Sequence, residues 1–181
     1  HEFAVGRIPV YTNNPTQLAQ GITALDHILA KTMAYQAAPL ESIDWRFSAL
    51  IAAEGANRIF FGEGLRNDVF LPANFSSAVR VYDADVCLVP NPPSGCVPIS
   101  GTPEATTCSV ANVATQWEAS SPGAVTWLTH GGGVGATAVM NAAQAAQLDD
   151  DYPVITFQAS CFNSLPSQVN NLSYTLLKNG A

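Results

Sequence analysis

Charge is what this sequence has least of. Charged residues are 12% of the 181 positions, about half the usual share. The shortage falls on the basic side: seven Lys plus Arg stand against fourteen Asp plus Glu, for a formal net charge of −7. A nucleic-acid partner is disfavoured, and so is an anionic membrane surface, because both call for a basic patch. No apolar run approaches the roughly 18 residues of a membrane span. Cys-x-x-Cys does not occur, and no histidine stands at zinc-finger spacing from a cysteine pair, which removes the common structural zinc sites. Gly-x-Ser-x-Gly is also missing. The His130-Gly131-Gly132-Gly133 run therefore lacks the serine that would make it the oxyanion element of a lipase-like hydrolase.

What is present is apolar. Hydrophobic residues reach 48%, which excludes disorder as the main state. The length suits a single domain over 1–181, expected to be a monomer. Four cysteines, Cys87, Cys96, Cys108 and Cys161, in a Lys-poor chain rich in Ser, Thr, Asn and Pro read as two disulfides formed in an oxidising, extracellular compartment. The turn-rich stretch between Cys87 and Cys96 favours pairing those two, leaving Cys108 with Cys161; four cysteines allow three pairings. Two glycosylation sequons, at Asn74 and Asn171, agree with secretion. The first residue is His1 rather than Met, as in a processed chain; the competing reading is the remnant of a tag and cloning scar.

One helix is strongly signalled. Asn14 can cap it, Pro15 suits its first position, and Leu18, Ile22, Leu25, Leu29 and Met33 recur on one face before Pro39 ends it. A second, shorter helix is expected over 141–148. The remainder reads as short strands between Gly/Pro turns, among them 46–53, 58–61, 78–82, 113–118, 125–129, 134–140, 154–159 and 172–177. This pattern predicts a mainly β fold: an immunoglobulin-like antiparallel β-sandwich with an N-terminal helical insertion and long loops.

Two of the three histidines are placed for chemistry. A free N-terminal His1 offers its α-amine and ring Nδ1 as a chelate, and one more imidazole completes a flat set of three nitrogens, a geometry that suits copper. His130 is the best second ligand. It follows an expected strand and precedes three glycines that let a substrate approach. His27, on the polar side of the helix, is the weaker choice.

A terminal histidine, one strand-end histidine and a secreted β-rich chain of this size resemble the copper lytic polysaccharide monooxygenases, and the composition is similar to the pectin-active family from oomycetes. The terminal segments 154–159 and 172–177 resemble that family's last two strands, although Glu2 stands where Gly is commoner. The resemblance implies one copper ion held by His1 and His130, with Tyr174 on the axial side (Phe157 and Phe162 behind it) and Gln158 as a hydrogen-bond donor to bound oxygen. It implies oxidative cleavage of glycosidic bonds in a polysaccharide, fed by an external electron donor. The rival is a non-catalytic extracellular β-sandwich module serving as a surface, adhesion or capsid-projection domain. A glycosidase would need paired carboxylates, for which Glu54, Glu63 and Asp68 are candidates. The aspartates at 149–151 lack the alternating pattern of a calcium loop.

Overall fold

The computed structural model describes residues 14–83, 86–87, 97–149 and 151–179. In chain order the elements are α1 (Pro15–Ala37), β1 (Ser48–Ala53), α2 (Ala56–Leu65), β2 (Ser77–Tyr82), β3 (Val86–Cys87), β4 (Val97–Pro98), β5 (Ala105–Thr106), α3 (Val110–Ser120), β6 (Ala124–Leu128), β7 (Gly131–Gly132), β8 (Gly135–Ala136), β9 (Met140–Asn141), α4 (Ala142–Ala145), β10 (Ile155–Ala159) and α5 (Leu172–Lys178). A five-stranded sheet of order β10-β6-β1-β2-β5 forms the centre, and every pairing in it is parallel. Helices cover both faces, so this is an open α/β sheet.

The antiparallel sandwich is thereby overturned. Three expected strands are helical or part of a helix: 58–61 lies in α2, 113–118 in α3 and 172–177 in α5. The reason is visible in the last two. Val113, Ala114 and Trp117 are the buried residues of α3 and share one helical face, and the Ser109 side chain caps that helix on the N–H of Asn112. Leu172 and Leu176 stand one turn apart in α5, capped by Asn171 on the N–H of Tyr174. Short apolar runs satisfy both periodicities, and the caps decide between them. Asn171 is buried in this role, which removes it as a glycosylation site.

The expected strands at 46–53, 78–82, 125–129 and 154–159 do form, as β1, β2, β6 and β10. All six residues of β1 are buried, as befits the middle strand of a parallel sheet covered on both faces. Alternate residues feed two cores. Leu50, Ala52, Val81, Val125 and Trp127 pack with α3, α4 and α5 residues such as Val113, Trp117, Ala145, Leu172 and Leu176. Ile51, Ala53 and Tyr82 pack beneath Ile59 of α2. Each buried Leu, Ile or Val side chain contributes about 1.5–3 kcal/mol relative to exposure. Helix α2 sits so close to the sheet that a Cβ at Gly62 would lie 3.2 Å from Ile51 and 3.1 Å from the Tyr82 hydroxyl. Next to that contact, Tyr82 donates to the buried Glu63 carboxylate at 3.0 Å, and Arg80 pairs with Glu63 at 3.5 Å. Burial first, then the Glu63 charge, pushes the Tyr82 phenol well above its usual range. Glu63 is therefore part of the packing.

The first helix forms where expected, with Asn14 as its cap. Its apolar stripe does not supply the buried face: Leu18, Ile22, Leu29 and Met33 are exposed, and the buried positions are Gly21 and Ile28.

Candidate active site

Strand order fixes where a site forms. From β1 the chain moves outward through α2 to β2, then returns through α3 to β6 on the other side of β1. The crevice beyond the carboxyl ends of β1 and β6 is thus a topological switch point, the usual ligand position in such sheets. Residues just past these ends line it: Glu54 after β1, Thr129 and His130 after β6, and Ser160 and Cys161 after the neighbouring β10.

The register sets these residues level. Leu128 pairs with Ala159, and the Thr129 N–H donates to the Ala159 carbonyl at 3.2 Å. One step further along each strand brings the His130 and Cys161 segments side by side. The backbones come so close there that a Cβ at Gly131 would lie 2.7 Å from the Cys161 carbonyl oxygen. Glycine is required at this position because the approach is to backbone, which cannot swing away.

Both loops are tied to one buried side chain, Asn163. Its amide donates to the carbonyls of Gly132 at 2.9 Å and Gly135 at 3.1 Å, holding the turn after His130. Its oxygen accepts from the Ser160 hydroxyl and from Trp127 Nε1 at 3.4 Å, holding the segment before Cys161. Phe162, directly after Cys161, takes a left-handed backbone with φ of 58°. That is a costly conformation for an aromatic residue, and such strain concentrates at functional turns. It bends the chain sharply off the strand and leaves Cys161 exposed.

His130 is likewise exposed. Its carbonyl accepts from the Thr137 N–H at 2.7 Å, which anchors the backbone, and its Nε2 lies 2.7 Å from Nη2 of Arg58. Arg58 belongs to the first turn of α2 and also donates from Nη1 to the Glu54 carbonyl at 3.1 Å. The Glu54 carboxylate turns aside to the Thr129 hydroxyl at 2.7 Å.

Cys108 and Cys161 are both free thiols, so the expected Cys108–Cys161 disulfide is not formed. Cys108 is buried. Burial first, then the charges of Asp83 and Glu54, pushes its thiol up to about 12, so it stays protonated at neutral pH. Cys96, and with it the Cys87–Cys96 pairing, lies outside the described residues, as does His1. Among the described residues, no group of three or more His, Cys, Asp and Glu is placed to hold a metal ion. Tyr174, expected on a strand near a metal, is buried on α5, with the Lys178 ammonium 4.9 Å from its ring centroid. Gln158 sits on β10 and accepts from the Ser173 hydroxyl at 2.7 Å. Phe157 and Phe162 are exposed. Trp127 and Trp117 are core residues. Among the described residues no helix is long and apolar enough to cross a membrane.

An α/β sheet that brings a histidine and an exposed thiol to adjacent strand ends has the layout of a nucleophilic hydrolase. The model of peptidase family C25 matches residues 1–180. The chain belongs to this family, one of cysteine peptidases. No curated protein and no solved structure matches it. The family overturns both the resemblance to copper monooxygenases and the non-catalytic module. The copper argument rested on chelation chemistry at His1 together with a presumed β-sandwich, and the fold is not a sandwich.

Sequence reasoning did not offer Cys161 as a candidate nucleophile, because an even cysteine count suggests disulfides. A signal was available. The apolar run 124–128 ends in Thr-His-Gly and the apolar run 154–159 ends in Ser-Cys, so two similar strands each deliver a reactive side chain at the same end.

Proposed function

We propose that the protein is a cysteine peptidase in which Cys161 is the nucleophile and His130 the acid–base partner. The observation that carries this reading is the side-by-side exit of the two residues from adjacent parallel strands. Family membership supports it.

The chemistry follows from the side chains. His130 takes the Cys161 proton, and the sulfur attacks the carbonyl carbon of a peptide bond. The oxyanion so formed needs N–H donors, and the glycine turn after His130 presents backbone with no side chain in the way. Protonated His130 then gives its proton to the departing amine, leaving a thioester on Cys161. Water, deprotonated by the same imidazole, hydrolyses the thioester and restores the thiol. Glu54 holds Thr129, the residue before His130, and Asn163 holds both loops. These two are positioning residues. Secretion is also proposed, on the Lys-poor composition rich in Ser, Thr, Asn and Pro and on the sequon at Asn74; the Cys108–Cys161 disulfide lends it no support, because both thiols are free.

The test is cleavage of an unfolded protein substrate by the full chain and its Cys161→Ala, His130→Ala and Cys108→Ala variants. Activity lost in the first two and kept in the third is expected. Undiminished activity of Cys161→Ala overturns the reading.

A further inference from the structure

Trp127 lies on β6, and its ring is fully buried in the core. A buried indole N–H needs an acceptor. This one reaches out of the core to the turn that carries the nucleophile. Its Nε1 donates to the Ser160 hydroxyl at 3.0 Å and, more weakly, to Asn163 Oδ1 at 3.4 Å. Ser160 immediately precedes Cys161, and Trp127 stands three residues before His130. One hydrogen bond therefore joins the strand that ends in the acid–base residue to the residue before the nucleophile. Its place matters because the ladder between β6 and β10 runs out there. The bond from the Thr129 N–H to the Ala159 carbonyl is the last backbone hydrogen bond between these two segments among the described residues. Beyond it, side chains hold the spacing.

The same bond starts a chain with a fixed direction. An indole N–H only donates, and a carbonyl only accepts. The Ser160 oxygen receives the Trp127 proton, so its own single proton turns to Asn163 Oδ1. The Asn163 amide nitrogen is then left facing the Gly132 and Gly135 carbonyls. Donor and acceptor roles are thus set from both ends, and no member of the chain titrates near neutral pH. A satisfied network of this kind rigidifies what it joins.

We infer that Trp127 is a positioning residue for the peptidase reaction: its indole N–H, acting through Ser160, fixes where Cys161 stands relative to His130. The inference rests on the assignment of those two residues proposed above. Ring packing alone does not account for the arrangement. A phenylalanine would fill much of the same space without placing a donor against the nucleophile's turn. Trp117, a second indole of this core, belongs to α3 and serves as the comparison.

The test measures kcat and KM of the full chain on fluorescently labelled, unfolded casein. Trp127→Phe and Ser160→Ala should each lower kcat about 10-fold with KM within about twofold, because the bond orients reacting groups and touches no substrate. Ser160→Thr, which keeps the hydroxyl, should retain most of the wild-type kcat. The double variant should be no slower than either single one, since both substitutions remove the same bond. Trp117→Phe should stay within about twofold of wild type. The comparison is also read without substrate, from the rate at which iodoacetamide alkylates Cys161 at neutral pH, which should fall in step with kcat. Urea denaturation checks that each variant is folded; should Trp127→Phe fail to fold, Ser160→Ala, which deletes one oxygen, still decides. Unchanged kcat and alkylation in Ser160→Ala, losses that multiply in the double variant, or an equal loss in Trp117→Phe overturns the inference. Its failure is separable from that of the underlying assignment. If Cys161→Ala abolishes cleavage while Ser160→Ala leaves kcat alone, only the role of Trp127 is lost; if Cys161→Ala cleaves normally, the assignment itself falls.

Discussion

Two cysteines stand just past carboxyl ends of the same sheet. Cys108 follows β5 on one side and Cys161 follows β10 on the other. Cys108 is buried, faces the charges of Asp83 and Glu54, and has its thiol pushed up to about 12. Cys161 is exposed on a sharp turn beside His130. Strand-end position is common to both, so it does not by itself make a nucleophile. Access and a neighbouring base do.

The largest expected effect separates the two directly. Cys161→Ala should lower peptidase activity by about 10⁴-fold or more, while Cys108→Ala should leave kcat/KM within a fewfold. Mass spectrometry after brief alkylation at neutral pH should find label on Cys161 and none on Cys108. Equal labelling would erase the distinction.

The next effect tests how tightly the Cys161 side is built. A Cβ at Gly131 collides with the Cys161 carbonyl, whereas one at Gly132 meets nothing within 4 Å. Gly131→Ala should cost about 100-fold in kcat/KM by misplacing the reacting groups, and Gly132→Ala should be close to neutral. Similar kinetics for both would mean that the loops need not lie so close.

Asn163→Ala removes the side chain that joins these loops and leaves the half-buried Gly132 and Gly135 carbonyls and the Ser160 hydroxyl short of partners. A loss of about 1–3 kcal/mol in unfolding free energy is expected, read by urea denaturation, together with reduced activity. A fully active, equally stable variant would remove Asn163 from the account.

The smallest effect belongs to the Cys108 side. Its thiol binds a proton more tightly folded than unfolded, where the ordinary value is 9.0. Between about pH 9 and 12 the native state therefore holds more protons, and its stability must fall as pH rises. Cys108→Ala should flatten that decline in part, with buried Tyr82, shifted in the same direction, supplying the rest. Denaturation curves across this range give the slopes, and identical slopes in both proteins would contradict the burial argument.

The four principal strands and the long helix were legible because their signals are local: apolar runs bounded by turns, and Asn14-Pro15 at a helix start. The fold class was misread because 58–61, 113–118 and 172–177 are too short for periodicity to separate strand from helix. The preference of Leu172 and Leu176 for a shared core is a long-range fact. The Leu18–Met33 stripe was a true helical signal whose orientation depends on neighbours.

By itself, the sequence determined that a histidine followed by glycines would stand at the end of a short apolar strand, and that the chain carries enough apolar residues to form a core. Tertiary structure alone decided which residue His130 would meet. Parallel pairing of β6 with β10, a contact between segments far apart in the chain, brought it beside Cys161 and buried Cys108 elsewhere. No local pattern encodes such a pairing, because its free energy comes from surface hidden between elements that are adjacent only once folded.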